Sequence, residues 1–345
     1  MSRQRLVSLV VIALLALGGA SYLAGRRNSS SDTHGALLFP TLAAQVNSVT
    51  EVAVMKGSPS PVLSVHKQGE RWTVAERADY PADLAKLRRL LLSLTDAKII
   101  EEKTSNPASY PVIGVEDPLK SEAGGVEVVI TSADGKHAVI VGKSAPEGSY
   151  VRRAGEDKSY SVAPTISVEA EPRFWIDTQL LDLKTADIQK VEVKFAGGAS
   201  YLIHRAAATA AATPTTAASD FVLEGVPAAR KAADPATLAP SPTTYGNLSI
   251  EDVAQADSID FSKASVVTVT LSSGNVVTLS GTVIDDKHWV KVAATQDAAL
   301  TAKASGRAYE ISNFRYDAIF RPLEQLLVPK PAPEAKKTPA AAPKP

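Results

Sequence analysis

The sequence predicts an α+β protein in which two tandem similar units, each a mainly antiparallel sheet with packed helices, follow one N-terminal transmembrane helix. Three observations carry that expectation. An uncharged apolar run, Leu6–Ala24, lies between two pairs of arginines. A pattern of β-branched runs around glycine turns is stated twice, about 140 residues apart. Each statement then closes on an amphipathic segment rich in leucine and aromatic residues.

Arg3 and Arg5 precede the apolar run, and Arg26-Arg27 close it. At ~1.5 Å per residue, about 19 helical residues reach about 28 Å, close to one hydrocarbon core. Gly18 and Ala20 have the spacing of a signal-peptidase site, but the length of the run and its double-arginine stop favour a retained anchor. The free amino terminus adds positive charge on the leading side, which favours N-inside, C-outside. The expected location is therefore the inner (cytoplasmic) membrane, single-pass, with the bulk of the chain extracytoplasmic or periplasmic. The expected divisions are an anchor over 1–27, a linker over 28–45, a first α+β repeat over 46–184, a second over 185–328, and a Pro/Ala/Lys tail over 329–345. Asn28–Thr33 is small and polar, with nothing to bury. The tail reads as an extended, solvated chain.

Composition narrows the function classes. The 345 residues suffice for two ordinary domains. Lysine plus arginine and aspartate plus glutamate number 37 each, so the zero net charge makes no case for nucleic acid. There is no cysteine, which removes disulfides, thiolate metal sites, cysteine nucleophiles and lipid attachment through a cysteine.

The repeat is clearest in Gly124–Tyr160 against Ser265–Tyr309. Val126–Ile130 is answered by Val267–Leu271, and the turn Asp134-Gly135-Lys136 by Ser273-Gly274-Asn275. His137–Gly142 then matches Val276–Gly281, Tyr150-Val151-Arg152 matches Trp289-Val290-Lys291, and Tyr160-Ser161-Val162 matches Tyr309-Glu310-Ile311. Such runs around glycine turns signal hairpins. An insertion at Ala293–Ser305 lengthens the second copy. The front halves pair Val49–Met55, Leu63–Lys67 and Arg71–Val74 with Val191–Phe195, Tyr201–His204 and Phe221–Glu224; Ala206–Ser219 reads as an exposed hairpin insertion.

Helices are expected at fewer places. Pro81 to Thr95 has proline suited to the first position, Asp83 in the first turn, and a stripe of Leu84, Leu87, Leu91 and Leu94. Lys86, Arg88 and Arg89 lie off that stripe, a basic face that could dock an anionic partner or simply be solvated. A weaker equivalent falls near Thr243–Ala254, with Leu248, Ile250 and Val253. The closing segments are Arg173–Leu183 and Asn313–Val328; Ser312 should cap the latter and Pro322 should kink or restart it.

Certain phrases in this order carry a family resemblance. They are Trp72, Tyr80-Pro81-Ala82-Asp83 opening a leucine-rich helix, Thr104–Tyr110, Ile113-Gly114-Val115-Glu116-Asp117-Pro118, Phe174-Trp175, Leu180-Leu181-Asp182-Leu183 and Asp187-Ile188. Together they resemble the bacterial domain-of-unknown-function family 4340 (DUF4340) from Val46 to about Leu327. The resemblance implies an N-terminal membrane segment and, by association with ABC-type transport and gliding-related proteins, a role in the envelope. The second repeat departs most from the pattern.

No residue reads as catalytic, metal-binding or cofactor-binding, and the chain is not expected to be an enzyme. His34, His66, His137, His204 and His288 show no paired ligand spacing, although His66 and His204 occupy matching places in the two copies. Glu101-Glu102 and Asp285-Asp286 are adjacent carboxylates, which in an extended strand point to opposite faces. Ser58-Pro59-Ser60 and Gly142-Lys143-Ser144 lack the glycines of a nucleophile elbow and a phosphate loop, and both read as turns. Trp72, Trp175 and Trp289 lie in apolar-patterned segments. Three function classes follow. The first is a membrane-anchored extracytoplasmic scaffold or interaction protein whose partner is an envelope protein, such as a component of an ABC-type transport system. The alternatives are an envelope polysaccharide-binding protein and a hydrolase with a dispersed site.

Overall fold

A computed structural model describes residues 34–206 and 221–329. The apolar run Leu6–Ala24, nearly all of the hairpin insertion and the tail beyond Pro329 lie outside the described residues. Among those described, no helix is long and apolar enough to cross a membrane. The architecture is mainly antiparallel β with short helices and two main sheets. Helix is scarcer than the α+β expectation, since strands rather than helices supply most of the apolar surface. The chain divides into two compact units, Met1–Asp177 and Thr178–Pro345.

The first unit holds a nine-stranded sheet. Its strands are β1 (Val49–Met55), β2 (Leu63–Gln68), β3 (Arg71–Val74), β4 (Tyr80–Pro81), β5 (Lys98–Glu102), β6 (Val126–Ser132), β7 (Gly135–Ala145), β8 (Gly148–Arg153) and β9 (Ser159–Ala163). Their order is β4-β3-β2-β1-β6-β7-β8-β9-β5, antiparallel throughout. Alternation sends Val52 and Val54, Leu63 and Val65, and Val128 and Ile130 to the buried face. The Leu84–Thr95 helix adds Leu87, Leu90, Leu91 and Leu94 to the core, each burial stabilising by about 1.5–3 kcal/mol. Its start differs from the expected one. Pro81 belongs to β4, opposite Thr73, and its carbonyl accepts from Asp177 N. Lacking an amide proton, proline suits a short edge strand as readily as a first helical turn. Asp83 is instead the cap, accepting from Ala85 N and Lys86 N.

In the second unit a two-stranded sheet pairs β10 (Gln179–Leu181) with β14 (Leu248–Ser249). The main sheet contains β11 (Ile188–Lys194), β12 (Ser200–Arg205), β13 (Phe221–Glu224), β15 (Asp252–Gln255), β16 (Ser265–Leu271), β17 (Val276–Ile284), β18 (Lys287–Ala294) and β19 (Arg307–Ile311). Its order is β13-β12-β11-β16-β17-β18-β19-β15. With β4 set aside, this is the order of the first sheet strand for strand, again antiparallel. The expected insertion after β18 contains the Ala298–Ala304 helix. No helix forms over Thr243–Ala254 as a whole. Short turns of helix at Pro235–Leu238 and Pro242–Tyr245 precede β14 and β15, and Val253 pairs with Tyr309. Leu248, Ile250 and Val253 are all buried, and their spacing serves paired strands as well as a helix.

The closing segments are also less helical than their patterns. Pro172–Trp175 is a short 3-10 turn, and Leu180-Leu181 enter β10. Asn313–Ile319 is a helix capped by Ser312, whose hydroxyl accepts from Arg315 N; the chain breaks and restarts as a 3-10 turn after Pro322. Gly142 and Gly281, matched in sequence, are both crossed closely. A Cβ on Gly142 would lie 2.4 Å from Ile113 O, and one on Gly281 would lie 2.3 Å from the Phe320 ring. Gly142-Lys143-Ser144 is therefore not a turn. It lies within β7, where the register against β8 shifts between Val141 and Ser144.

Candidate functional site

The motif residues of the first unit converge on Arg152. This side chain, 4 % exposed, reaches from β8 to donate Nε–H to Val115 O (2.9 Å) and Nη1–H to Glu156 O (2.9 Å), and pairs with Asp117 Oδ1 (2.5 Å). Its guanidinium lies 4.7 Å from the Tyr110 ring centre, and Tyr110 OH donates to Asp157 O. The phrases Thr104–Tyr110 and Ile113–Pro118 are thus held on the sheet by one buried cation. Burial raises the pKa of nearby Glu127, with Asp117 adding to the rise and Arg152 opposing it. The arrangement is a satisfied structural hub, because the guanidinium is committed to backbone and carboxylate acceptors.

The histidines do not converge. His66 on β2 sits 3.3 Å from Asp79 Oδ1 and near Thr73 and Gln68, whereas His204 on β12 sits 3.0 Å from Glu224 Oε1 and 2.9 Å from Arg205 O. They belong to separate sheets, each beside one carboxylate. His34 bonds Ile100 O, His137 bonds Gln45 Oε1, and His288 lies against Tyr316. Among the described residues no group of three or more His, Asp or Glu is placed to hold a metal ion. Glu101 and Glu102 pair with different lysines, Lys103 and Lys158. Asp285 and Asp286 occupy the β17–β18 turn with positive φ rather than extended strand. Trp175 is wholly buried with Nε1 donating to Glu169 O, and Trp289 is 7 % exposed. Trp72 alone of the three is only half-buried.

Trp72 opens onto a surface cleft of the first unit. The cleft, of about 480 Å³, runs beside the Leu84–Thr95 helix, lined by Trp72, Leu84, Leu87, Leu91 and Leu92, with Lys67, Glu70 and Arg88 at its polar rim. Leu84 is 44 % and Leu92 57 % exposed. With Arg88 between them at i, i+4 and i+8, they make one stripe along the helix. The helical pattern placed Leu84 in the core, but Leu90 takes that role and Leu84 faces the cleft. Arg88 and Arg89 are exposed and have no carboxylate partner among the described residues. On the next face Lys86 is held by Phe174 O at 2.9 Å and lies near the Trp175 ring; burial lowers its pKa, partly opposed by Glu169 and Asp83. The exposed leucines were legible as letters, but only the helix's orientation on the sheet separates them from the core ones.

Two antiparallel sheets sharing one strand order, with a leucine-and-arginine helix on the first, define the class of this protein. The chain belongs to the family described as Domain of unknown function (DUF4340), whose model matches residues 72–260, more than half of the sequence. That match begins at Trp72 itself and ends between β15 and β16. No curated protein and no solved structure matches the chain.

Proposed function

We propose that this protein is a membrane-anchored extracytoplasmic interaction module, built by internal duplication. The Leu6–Ala24 run holds it in the inner membrane, and its first unit docks a short segment of an envelope protein such as a transporter component. One observation carries the docking reading: the exposed Leu84–Arg88–Leu92 stripe beside a Trp72-lined cleft, where Arg88 has no carboxylate partner among the described residues. Such a surface suits a segment that offers an apolar anchor and a neighbouring carboxylate, because aromatic and leucine contacts supply area while arginine selects charge.

The test is site-specific photocrosslinking from position 92 in intact membranes, followed by binding of the captured protein after purification. The expected result is one discrete partner, lost when Arg88 and Arg89 are both changed to glutamate. Capture indifferent to that reversal would overturn the docking surface. Retention on an envelope-glycan column that depends on Trp72 would replace it with the polysaccharide reading. For the anchor, alkaline phosphatase fused after Val328 should be active and the mature chain should keep its first residues. An inactive fusion would overturn the orientation, and a truncated chain would overturn the anchor.

A further inference from the structure

The second unit contains a pocket that the docking surface does not use. It encloses about 370 Å³ and is walled by Val191, Tyr201, Ile203, Leu238, Tyr245 and Ile319. Arg321 enters it, with Ser241 and Thr244 as further polar lining and no acidic residue. The guanidinium donates to two backbone carbonyls, Thr237 O (3.1 Å) and Leu238 O (3.3 Å), and has no carboxylate partner among the described residues. Those bonds use two of its five N–H donors, and the neighbouring Tyr201 hydroxyl also hydrogen-bonds the Arg321 side chain. Tyr201 OH is committed to Arg321 O at 2.7 Å. Tyr245 is different: its side chain is 3 % exposed, it lines the pocket, and its hydroxyl makes no hydrogen bond among the described residues. That hydroxyl is free to donate to a group in the pocket, and a half-buried cation without a counter-ion is costly. A single ligand group would engage both.

We propose that this pocket binds a carboxylate carried on a small apolar or aromatic body, with Arg321 as the charge partner and Tyr245 as the hydroxyl donor. The planar guanidinium fork matches a carboxylate, and a single cation beside a neutral phenol suits one negative charge better than a doubly charged phosphate. The apolar walls set the body. Burial pushes the Tyr245 phenol up, which keeps it protonated and able to donate, and it lowers Arg321 from its ordinary value, as expected for a cation short of an anion. The carboxylate could belong to a free metabolite or to the end of a peptide, and both present the same group.

Calorimetric titration of the full chain with benzoate, with benzamide, and with a short peptide ending in phenylalanine tests the assignment. Saturable benzoate binding is expected, with benzamide at least tenfold weaker; tighter binding of the peptide than of benzoate would assign the source to a chain end, and the reverse to a free acid. Tyr245→Phe should weaken benzoate about three- to tenfold without loss of folding, since that hydroxyl has no protein partner. Arg321→Gln should weaken it tenfold or more. No saturable binding of either carboxylate, or equal binding of benzoate by the wild type and Tyr245→Phe, would overturn the proposal. If Arg321→Gln fails to fold, the Tyr245→Phe and benzamide comparisons still decide it.

Discussion

Removing the Arg152 side chain should loosen the first unit by about 3 kcal/mol, and the structure indicates where that loss arises. In Arg152→Ala the carbonyl of Val115, a residue wholly buried, loses its donor; an unsatisfied buried acceptor costs about 1–3 kcal/mol. The half-buried Glu156 carbonyl loses another donor, at about 0.5–1.5 kcal/mol. The stacked guanidinium over Tyr110 contributes about 0.5–2 kcal/mol. Asp117 adds little, because its side chain is 62 % exposed and water replaces the arginine there. The sum is reduced by the desolvation of Arg152 that the variant no longer suffers, leaving about 3 kcal/mol, toward the lower end of the range. Hydrogen exchange read by mass spectrometry is the suitable assay, because it reports each unit separately. The slowest amides of β6 and β8 should exchange roughly 100-fold faster, at about 1.4 kcal/mol per factor of ten. Arg152→Lys should recover only part of the loss, since an ammonium cannot fork between the same acceptors. Acceleration below about threefold in Arg152→Ala would show that the Ile113–Pro118 phrase is held by something other than this cation.

Further outcomes follow from other contacts. Gly142→Ala should destabilise the first unit by about 1–3 kcal/mol, because its Cβ would meet the Ile113 and Gly114 carbonyls at 2.4 and 2.7 Å and backbone must move; unchanged exchange in β7 would refute the close crossing. Asp83→Ala should cost about 1 kcal/mol through loss of the cap, visible as faster exchange of Ala85 and Lys86 and their neighbours, and Asp83→Asn should largely restore it. In the second unit burial pushes Tyr201 and Tyr316 up to about 12, and raises Tyr245 and Tyr309 as well. The folded state therefore holds protons that the unfolded state releases from about pH 10, so this stabilisation is complete below pH 10 and lost as pH rises toward 12. Absorbance titration should show these phenols ionising only as the second unit loses exchange protection. Ionisation of all tyrosines near pH 10 in a still-protected protein would refute that.

Sequence alone determined the repeated central strands, because burial on a pleated sheet imposes a two-residue period that local residues must satisfy. Val267-Thr268-Val269-Thr270-Leu271 reads as β16, and its counterpart at Val126 as β6, from that alternation alone. The turn glycines Gly135 and Gly274, the Ser312 cap and the restart after Pro322 were legible for the same reason: each is a constraint of the local backbone. Tertiary structure decided whatever depended on which neighbour a segment met. Leu248, Ile250 and Val253 fit a helix as well as two short strands until β19 offers Val253 a partner. Leu84 and Leu90 are the same residue type on one helix, and only the helix's rotation on the sheet exposes the first and buries the second. Arg152 among its acceptors, and Arg321 facing Tyr245, join residues dozens of positions apart. No local period records such meetings, since a site is made by long-range packing and the chain between its members is free to vary.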